Sequence, residues 1–141
     1  MPSLMSLEHL SAELDAGRVT SRALVEACLA RIVDPSGEGA RVYTLVDADS
    51  ARRAADAADA ARARGERTRR LAGIPISIKD LFDIEGQVTT AGSRVLADAP
   101  PAARDAAAVA RLREAGFVVM GRTNMTEFAY SGLGLNPHYG T

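Results

Sequence analysis

Apolar side chains recur every three or four residues in several stretches of the chain, and this spacing predicts amphipathic helices. One helix covers residues 6–16, and a second begins after a cap at Thr20 or Ser21. Residues 48–64 are rich in alanine and predict a third helix, and Asp105 is expected to cap a fourth. Breaking residues mark where these helices should end: Gly17, Asp34–Gly37, Gly65 and Gly116.

Between the helices lie short runs with the composition of β-strands. Three strands are predicted, at Val42–Val46, Leu71–Ile78 and Phe117–Met120. Isoleucines alternate with other residues in the second, so one face of that strand is apolar. Residues 80–104 show no clear period, and so long a connection is usually functional or disordered. Strands that alternate with helices indicate the α/β class, with no repeat and no second domain.

The composition is that of a globular protein, with 47% apolar and 25% charged residues. The net charge of -1 provides no overall field for nucleic acid or anionic lipid. No apolar run approaches the roughly 20 residues of a membrane span, and the first residues lack the features of a signal peptide. Cys28 is the only cysteine and lies on an apolar helix stripe, which favours a core role. We therefore expect a cytoplasmic protein without a disulfide.

Two other groups of polar residues, a run of arginines and the two histidines, are candidates for a binding role. The arginines within residues 62–70 resemble a nucleic-acid patch, but aromatic residues are absent there and acidic residues dilute them. A solvated helix end and loop is the favoured interpretation. His9 and His138 lack any partner pattern, so we predict no metal site and no cofactor.

Lys79 is the only lysine in the chain, among 17 basic residues. Arginine stays protonated in proteins, whereas a lysine can lose its proton and act as a base. The predicted strand ends beside Lys79, and α/β sheets commonly build sites at strand ends. The competing explanation is that Lys79 merely survived a codon bias toward arginine. The count alone leaves the catalytic role and this explanation both open.

Three segments, in this order and spacing, resemble the amidase signature family: Gly73–Asp80, Thr89–Ser93 and Gly121–Ala129. The tail Gly134–Thr141 is also similar to that family. The resemblance covers nearly the whole chain and is most specific from Leu71 onward. It implies an α/β fold with a mixed sheet core surrounded by helices, of which this chain would hold the N-terminal part. Residues 1–70 would be a mainly helical lead-in, and residues 71–141 the start of the catalytic core.

The resemblance also implies a Ser–cis-Ser–Lys catalytic triad, in which the lysine role falls on Lys79. A serine hydroxyl is a weak nucleophile until a base takes its proton, and a lysine can serve when burial and neighbouring donors lower its pKa. The family's two serines lie in and just ahead of a Gly-Gly-Ser-Ser-Gly-Gly type motif, which is absent from the 141 residues. Ser77, Ser93 and Ser131 do not match those positions. The chain is therefore expected to be an incomplete, inactive portion of an amidase.

The remaining polar residues of these segments receive supporting roles. In relatives, the stretch that matches Tyr130 and Ser131 lines the acyl or amide pocket, so both are predicted substrate-binding residues. Asp80 is expected either to orient Lys79 or to stabilise an ordinary turn. The hydroxyls of the segment Thr89–Ser93 would lie near the site or, as we favour, bond within their own loop.

Three functions remain open at this point. The first is an amidohydrolase that cleaves a small-molecule carboxylic amide to acid plus ammonia or amine. The second is the A-subunit of a glutamyl-tRNA(Gln) amidotransferase. The third is a catalytically dead, truncated scaffold or interaction module. The resemblance implies no direct contact with nucleic acid or membrane, allows a homodimer of the full-length form, and does not identify the amide.

Overall fold

The computed structural model describes residues 5–140. Met1–Leu4, to which the prediction about a signal peptide applies, and Thr141 lie outside the described residues. The described part contains these helices and strands in chain order: α1 Leu7–Asp15, α2 Ser21–Val33, α3 Gly39–Val42, β1 Tyr43–Val46, α4 Ala48–Ala63, β2 Pro75–Lys79, α5 Ala107–Glu114 and β3 Val118–Thr123. Two 3-10 turns, Arg94–Leu96 and Glu127–Ala129, complete it. None of these helices is long and apolar enough to cross a membrane.

Three of the helices, α1, α2 and α4, begin at polar caps, of which the sequence predicts the one that starts α2. Ser6 accepts a hydrogen bond from the His9 N–H at the start of α1, and Thr20 accepts one from Ala23 at the start of α2. Asp47 caps α4 in the same way. Such caps satisfy backbone donors that have no partner within the helix. The cap choice between Thr20 and Ser21 is thereby settled in favour of Thr20.

The sheet has the strand order β1-β3-β2, so the last strand along the chain lies in the middle. β2 and β3 are parallel, and the chain crosses between them through α5, since parallel neighbours need a crossover connection. β1 pairs with the other edge of β3 in the antiparallel sense. The sheet is therefore mixed, and the expected α/β class is confirmed.

The two faces of β3 contribute to separate cores. Val118 and Met120 pack against buried side chains of α2 and α4, including Val25 and Ala51. On the opposite face, Ile78 packs with side chains that include Ile84, Val109 and Val119. Helices thus cover both faces at this end of the sheet, as expected for a strand that is apolar on both sides.

A β-bulge in β3 interrupts the alternation of its side chains. Ile76 pairs with Val119 but Ile78 pairs with Arg122, so β3 has one residue more than β2 over this interval. The bulge lies at Gly121, which has φ 154° and approaches β1 so closely that a Cβ would lie 2.1 Å from the Leu45 carbonyl oxygen. The extra residue places Arg122 on the face of Ile78.

Several predicted boundaries are wrong. β2 begins at Pro75 rather than Leu71, because Gly73 adopts φ 84° and donates its N–H to the Gly116 carbonyl at 2.8 Å. Val42 ends the unpredicted helix α3 instead of starting β1. Asp105 does not cap α5, which has no side-chain cap, but accepts from the Glu85 N–H instead.

Candidate active site at the end of β2

Lys79 is the last residue of β2, as the sequence predicts. The register places it in one row across the sheet with Thr123 and Tyr43. Its carbonyl accepts hydrogen bonds from the Leu81 and Phe82 N–H groups at 2.7 and 3.1 Å, which turns the chain out of the strand. The Lys79 side chain is exposed. The burial expected for a lysine base is therefore not provided by residues 5–140.

Tyr43 and Ser77 lie near this end of the sheet. Ser77 precedes Lys79 by two residues and so projects on the same face of β2. Burial raises the pKa of the half-buried Tyr43 hydroxyl, and a hydrogen bond with the Ser77 side chain acts in the opposite direction. The lysine thus shares its face of the sheet with three hydroxyl groups, those of Tyr43, Ser77 and Thr123.

Asp80, the residue after Lys79, forms a buried ion pair with Arg122 of β3. The Arg122 Nε lies 2.7 Å from Asp80 Oδ1, and both side chains are 2% exposed. The Nη2 of Arg122 donates to the Phe82 carbonyl at 2.9 Å and to the Thr89 hydroxyl at 2.8 Å, and its Nη1 donates to Gln87 Oε1 at 3.5 Å. Removing one partner of such a pair would leave an uncompensated buried charge.

The loop Thr89–Ser93 is held by this ion pair. The Thr90 N–H and hydroxyl both donate to Asp80, and the Gly92 N–H donates to Asp80 Oδ2 at 3.2 Å. Thr89 accepts from Arg122. The favoured prediction that these hydroxyls bond within their own loop is therefore wrong for Thr89 and Thr90, because their partners come from the ends of two strands. Ala91 within the loop adopts φ 50°, which this set of contacts maintains.

A second polar cluster joins the same loop to the end of the described chain. The buried Ser93 hydroxyl donates to Glu127 Oε1 at 2.6 Å, and His138 Nε2 lies 2.9 Å from the same oxygen. The hydrogen bond from Ser93, and then that from His138, hold the pKa of Glu127 below its ordinary value of 4.5. The buried Asn136 donates to the Gly92 and Met125 carbonyls. These contacts fix three segments relative to one another.

Tyr130 and Ser131 follow the 3-10 turn Glu127–Ala129, and no described contact joins them to Lys79. Tyr130 is 94% exposed, and the Ser131 hydroxyl accepts from the Leu133 N–H at 3.1 Å. Phe128 and Ala129 both have positive φ, 52° and 55°. The predicted substrate-binding role of Tyr130 and Ser131 stays a prediction.

A cavity of about 320 Å³ opens beside the Asp80–Arg122 pair. The side chains that line it with the pair come from β1, from the loop after β2 and from the end of the described chain: Thr44, Leu45, Gln87, Val88, Thr90 and Tyr139. No cluster of three or more His, Cys, Asp or Glu residues suited to a metal ion occurs within residues 5–140. The reactive group described at this end of the sheet is therefore the Lys79 amine, next to the Asp80–Arg122 ion pair, in which the two charges neutralise each other.

Three buried or half-buried polar residues of this region were not predicted from the sequence: Arg122, Glu127 and Asn136. A signal for Arg122 existed, since a charged residue directly follows a buried apolar run and a glycine. Glu127 and Asn136 carried no such signal, because polar residues in irregular segments are usually exposed.

Comparisons with known proteins identify relatives of this chain. The amidase family model matches residues 23–141. The chain is 46% identical over 125 residues to the 1-carboxybiuret hydrolase subunit AtzE of Pseudomonas sp. (strain ADP), covering 89% of this chain and 27% of that protein. It is also 46% identical over 136 residues to the glutamyl-tRNA(Gln) amidotransferase A-subunit of Anaeromyxobacter sp. (strain K), covering 96% and 27%.

The fold has counterparts among solved structures. One belongs to a complex described as vestigial and as revealing the evolutionary origins of an s-triazine catabolic enzyme. It matches with a TM-score of 0.89 and 42% identity over 96% of this chain and 30% of that chain. The chain spans about a quarter of the length of the curated relatives it matches. By its family-model match and its structural counterparts, the chain belongs to the amidase family, the amidase signature enzymes.

Proposed function

We propose that the chain is part of an amidohydrolase that cleaves a carboxylic amide to an acid plus ammonia or an amine. Lys79 would be the general base of a Ser–cis-Ser–Lys triad, and the two serines would come from outside these 141 residues. The observation that carries the proposal is the placement of the single lysine at the carboxyl end of β2, beside a loop fixed by two buried charges. Such strand ends are where α/β sheets place reactive groups.

The proposed reaction needs one proton to move twice. The bridging serine would relay the proton of the nucleophilic serine to Lys79 while that serine attacks the amide carbon. The C–N bond then breaks, and the nitrogen leaves with the proton returned from Lys79. Water would hydrolyse the acyl-serine ester to release the acid and restore the serine. Tyr130 and Ser131 would contact the acyl or amine part of the substrate.

The test uses the gene product read through past the codon for Thr141. We expect it to release ammonia or amine from a panel of aliphatic and aryl amides, and Lys79→Met to lower kcat/KM at least about 10³-fold, the upper range for losing a general base. Arg67→Met is the matched control, because it removes an exposed cation without touching β2. An unchanged rate in Lys79→Met would refute the base role.

A second candidate is the A-subunit of a glutamyl-tRNA(Gln) amidotransferase, which the 46% identity to the Anaeromyxobacter protein supports. In that case the protein would act with partner subunits, and glutamine would be the amide. Affinity purification of the read-through product, followed by assay for glutamine-dependent amidation of Glu-tRNA(Gln), separates the candidates. Amidation by a co-purified complex would rank this function first.

A further inference from the structure

The Asp80 carboxylate is fully occupied by partners other than Lys79. Oδ1 accepts from Arg122 Nε at 2.7 Å and from the Thr90 N–H at 3.3 Å. Oδ2 accepts from the Thr90 hydroxyl and from the Gly92 N–H. An ionised carboxylate offers about four acceptor sites, so these four bonds leave Asp80 no free capacity.

Lys79 is the sequence neighbour of this carboxylate, yet the two do not pair. Within residues 5–140 the lysine has no ion pair within 4.0 Å, whereas the Asp80 ion pair with Arg122 is buried. Adjacent residues of an extended strand project to opposite faces, and Asp80 follows the last residue of β2. A lysine beside an available carboxylate would be stabilised as the ammonium ion, which cannot accept a proton.

The bulge at Gly121 determines which of the two groups Arg122 meets. Without the extra residue, Arg122 would share the face of Met120, and that face also carries Thr123 and Lys79 under the observed register. With it, Arg122 lies on the face of Ile78 and reaches Asp80. The backbone irregularity therefore brings the guanidinium to the carboxylate and keeps it from the amine.

We propose that Arg122 is a positioning residue for the amidase reaction. It binds Asp80 on the face of the sheet opposite Lys79 and so leaves Lys79 unpaired. The proposal rests on the base role given to Lys79 above. It assigns to the ion pair a function beyond holding the loop Thr89–Ser93, because the same contacts that fix the loop also occupy the carboxylate that follows the lysine in the sequence.

The single lysine makes a direct test feasible in the 141-residue chain. Reductive methylation with ¹³C-formaldehyde labels only Lys79 and the terminal amine, and Lys79→Arg identifies the lysine signal by its loss. The titration midpoint of that signal is then read by NMR. We expect Arg122→Met to raise the midpoint by about 0.5 pH unit, because an unneutralised carboxylate then lies near the ammonium. Asp80→Asn should lower it by a similar amount.

The double variant and a conservative variant complete the set. Asp80→Asn with Arg122→Met carries neither charge and should return the midpoint to within about 0.2 pH unit of the parent. Arg122→Lys keeps the charge and should do the same. The matched control is the exposed pair between α2 and α4: Glu26→Gln and Arg52→Met should leave the Lys79 midpoint unchanged.

If the variants acted only by loosening the loop contacts that the two residues share, both would move the midpoint in the same direction or leave it unchanged. Either result would overturn the proposal. If a charge variant does not fold, Thr90→Val and Thr89→Val decide instead. Thr90→Val removes a neutral partner of Asp80, and we expect a smaller upward shift of the Lys79 midpoint. Thr89→Val removes a neutral partner of Arg122, and we expect a smaller downward shift.

The titration does not depend on catalysis, so the two proposals can fail separately. Shifts of opposite sign with full activity of Lys79→Met in the read-through enzyme would retain the ion-pair effect and reject the base role. Absent shifts with an inactive Lys79→Met would reject the positioning role alone.

Discussion

At the scale of single residues, the segment Thr89–Ser93 shows how buried hydroxyls hold an irregular loop. Ser93 is completely buried, and its hydroxyl donates to Glu127 while accepting from the Val95 N–H. Deleting the hydroxyl at this buried position leaves the Val95 N–H and one Glu127 oxygen short of a partner, and losing one partner of such a bond costs more than the bond contributes when intact. The loop therefore depends on the serine although the serine is not a nucleophile in the proposed mechanism.

Ser93→Ala tests this dependence. We expect the free energy of unfolding to fall by about 1–3 kcal/mol, because the Val95 N–H and Glu127 each lose a partner. Ser131→Ala is the control, since its exposed hydroxyl makes the same kind of contact with an N–H two residues later and should cost less than about 0.5 kcal/mol. Urea unfolding curves of both variants provide the measurement, and equal losses would contradict the argument.

At the scale of elements, charged contacts join α2 to α4. Glu26 on α2 accepts from Arg52 on α4 and from Arg22 one helical turn away. The hydrogen bond from Arg52, and then that from Arg22, lower the pKa of Glu26 to about 2. The side chains are about two-fifths exposed, so solvent and salt weaken the contribution to stability.

Glu26→Gln should therefore show a pH-dependent loss. The folded-state pKa is depressed from 4.5 to about 2, so the stabilisation is complete above pH 4.5 and disappears as the pH falls through about 2. The difference in Tm between parent and variant should be largest near pH 7, shrink below pH 4.5, and be smaller at high salt. A difference that stays constant down to pH 2 would exclude the ion pairs as its cause.

The bulge in β3 is a second feature of this scale, and Gly121→Ala tests it. A Cβ at this position would lie 2.1 Å from the Leu45 carbonyl oxygen, so β1 and β3 must separate or the bulge must shift. We expect a loss of about 2–3 kcal/mol, with weaker hydrogen-exchange protection of β1. Gly132→Ala is the matched control, because a Cβ there meets nothing within 4 Å.

At the scale of the whole molecule, the described chain leaves large apolar side chains on its surface. Four of them fall within the eight-residue stretch 128–135, which follows β3: Phe128, Tyr130, Leu133 and Leu135. Exposed apolar groups at this density favour association. We expect light scattering to show the isolated 141-residue chain as more than one copy at micromolar concentration, and Leu133→Ser with Leu135→Ser to reduce this. A monodisperse single copy would instead support the scaffold interpretation.

The isolated chain should also lack amidase activity, since the proposed triad needs two serines that it does not contain. The check is a coupled ammonia assay on the purified 141-residue chain beside the read-through product. Hydrolysis of a simple aryl or aliphatic amide by the short chain would overturn the proposed division of the triad.

The helices and the position of Lys79 could be predicted because their signals are local. Apolar spacing locates α1 and α2, the latter with its cap at Thr20, and alanine content locates α4, each to within one or two residues. The Asp80–Arg122 pair depends on a bulge and on a register between strands some forty residues apart, and neither is written in a local pattern. The turn at Gly73 was likewise missed, because its partner Gly116 lies in a distant segment.

The position of β3 in the middle of the sheet has a consequence during synthesis. Both β1 and β2 leave the ribosome before their shared partner exists, and at about 5–20 residues per second β1 waits roughly 4–15 s for Thr123. Over that interval the apolar faces of α2 and α4 also lack Val118 and Met120. The nascent chain therefore presents unpaired strands and an uncovered helical surface together, which is when a chaperone would have its best opportunity to bind it.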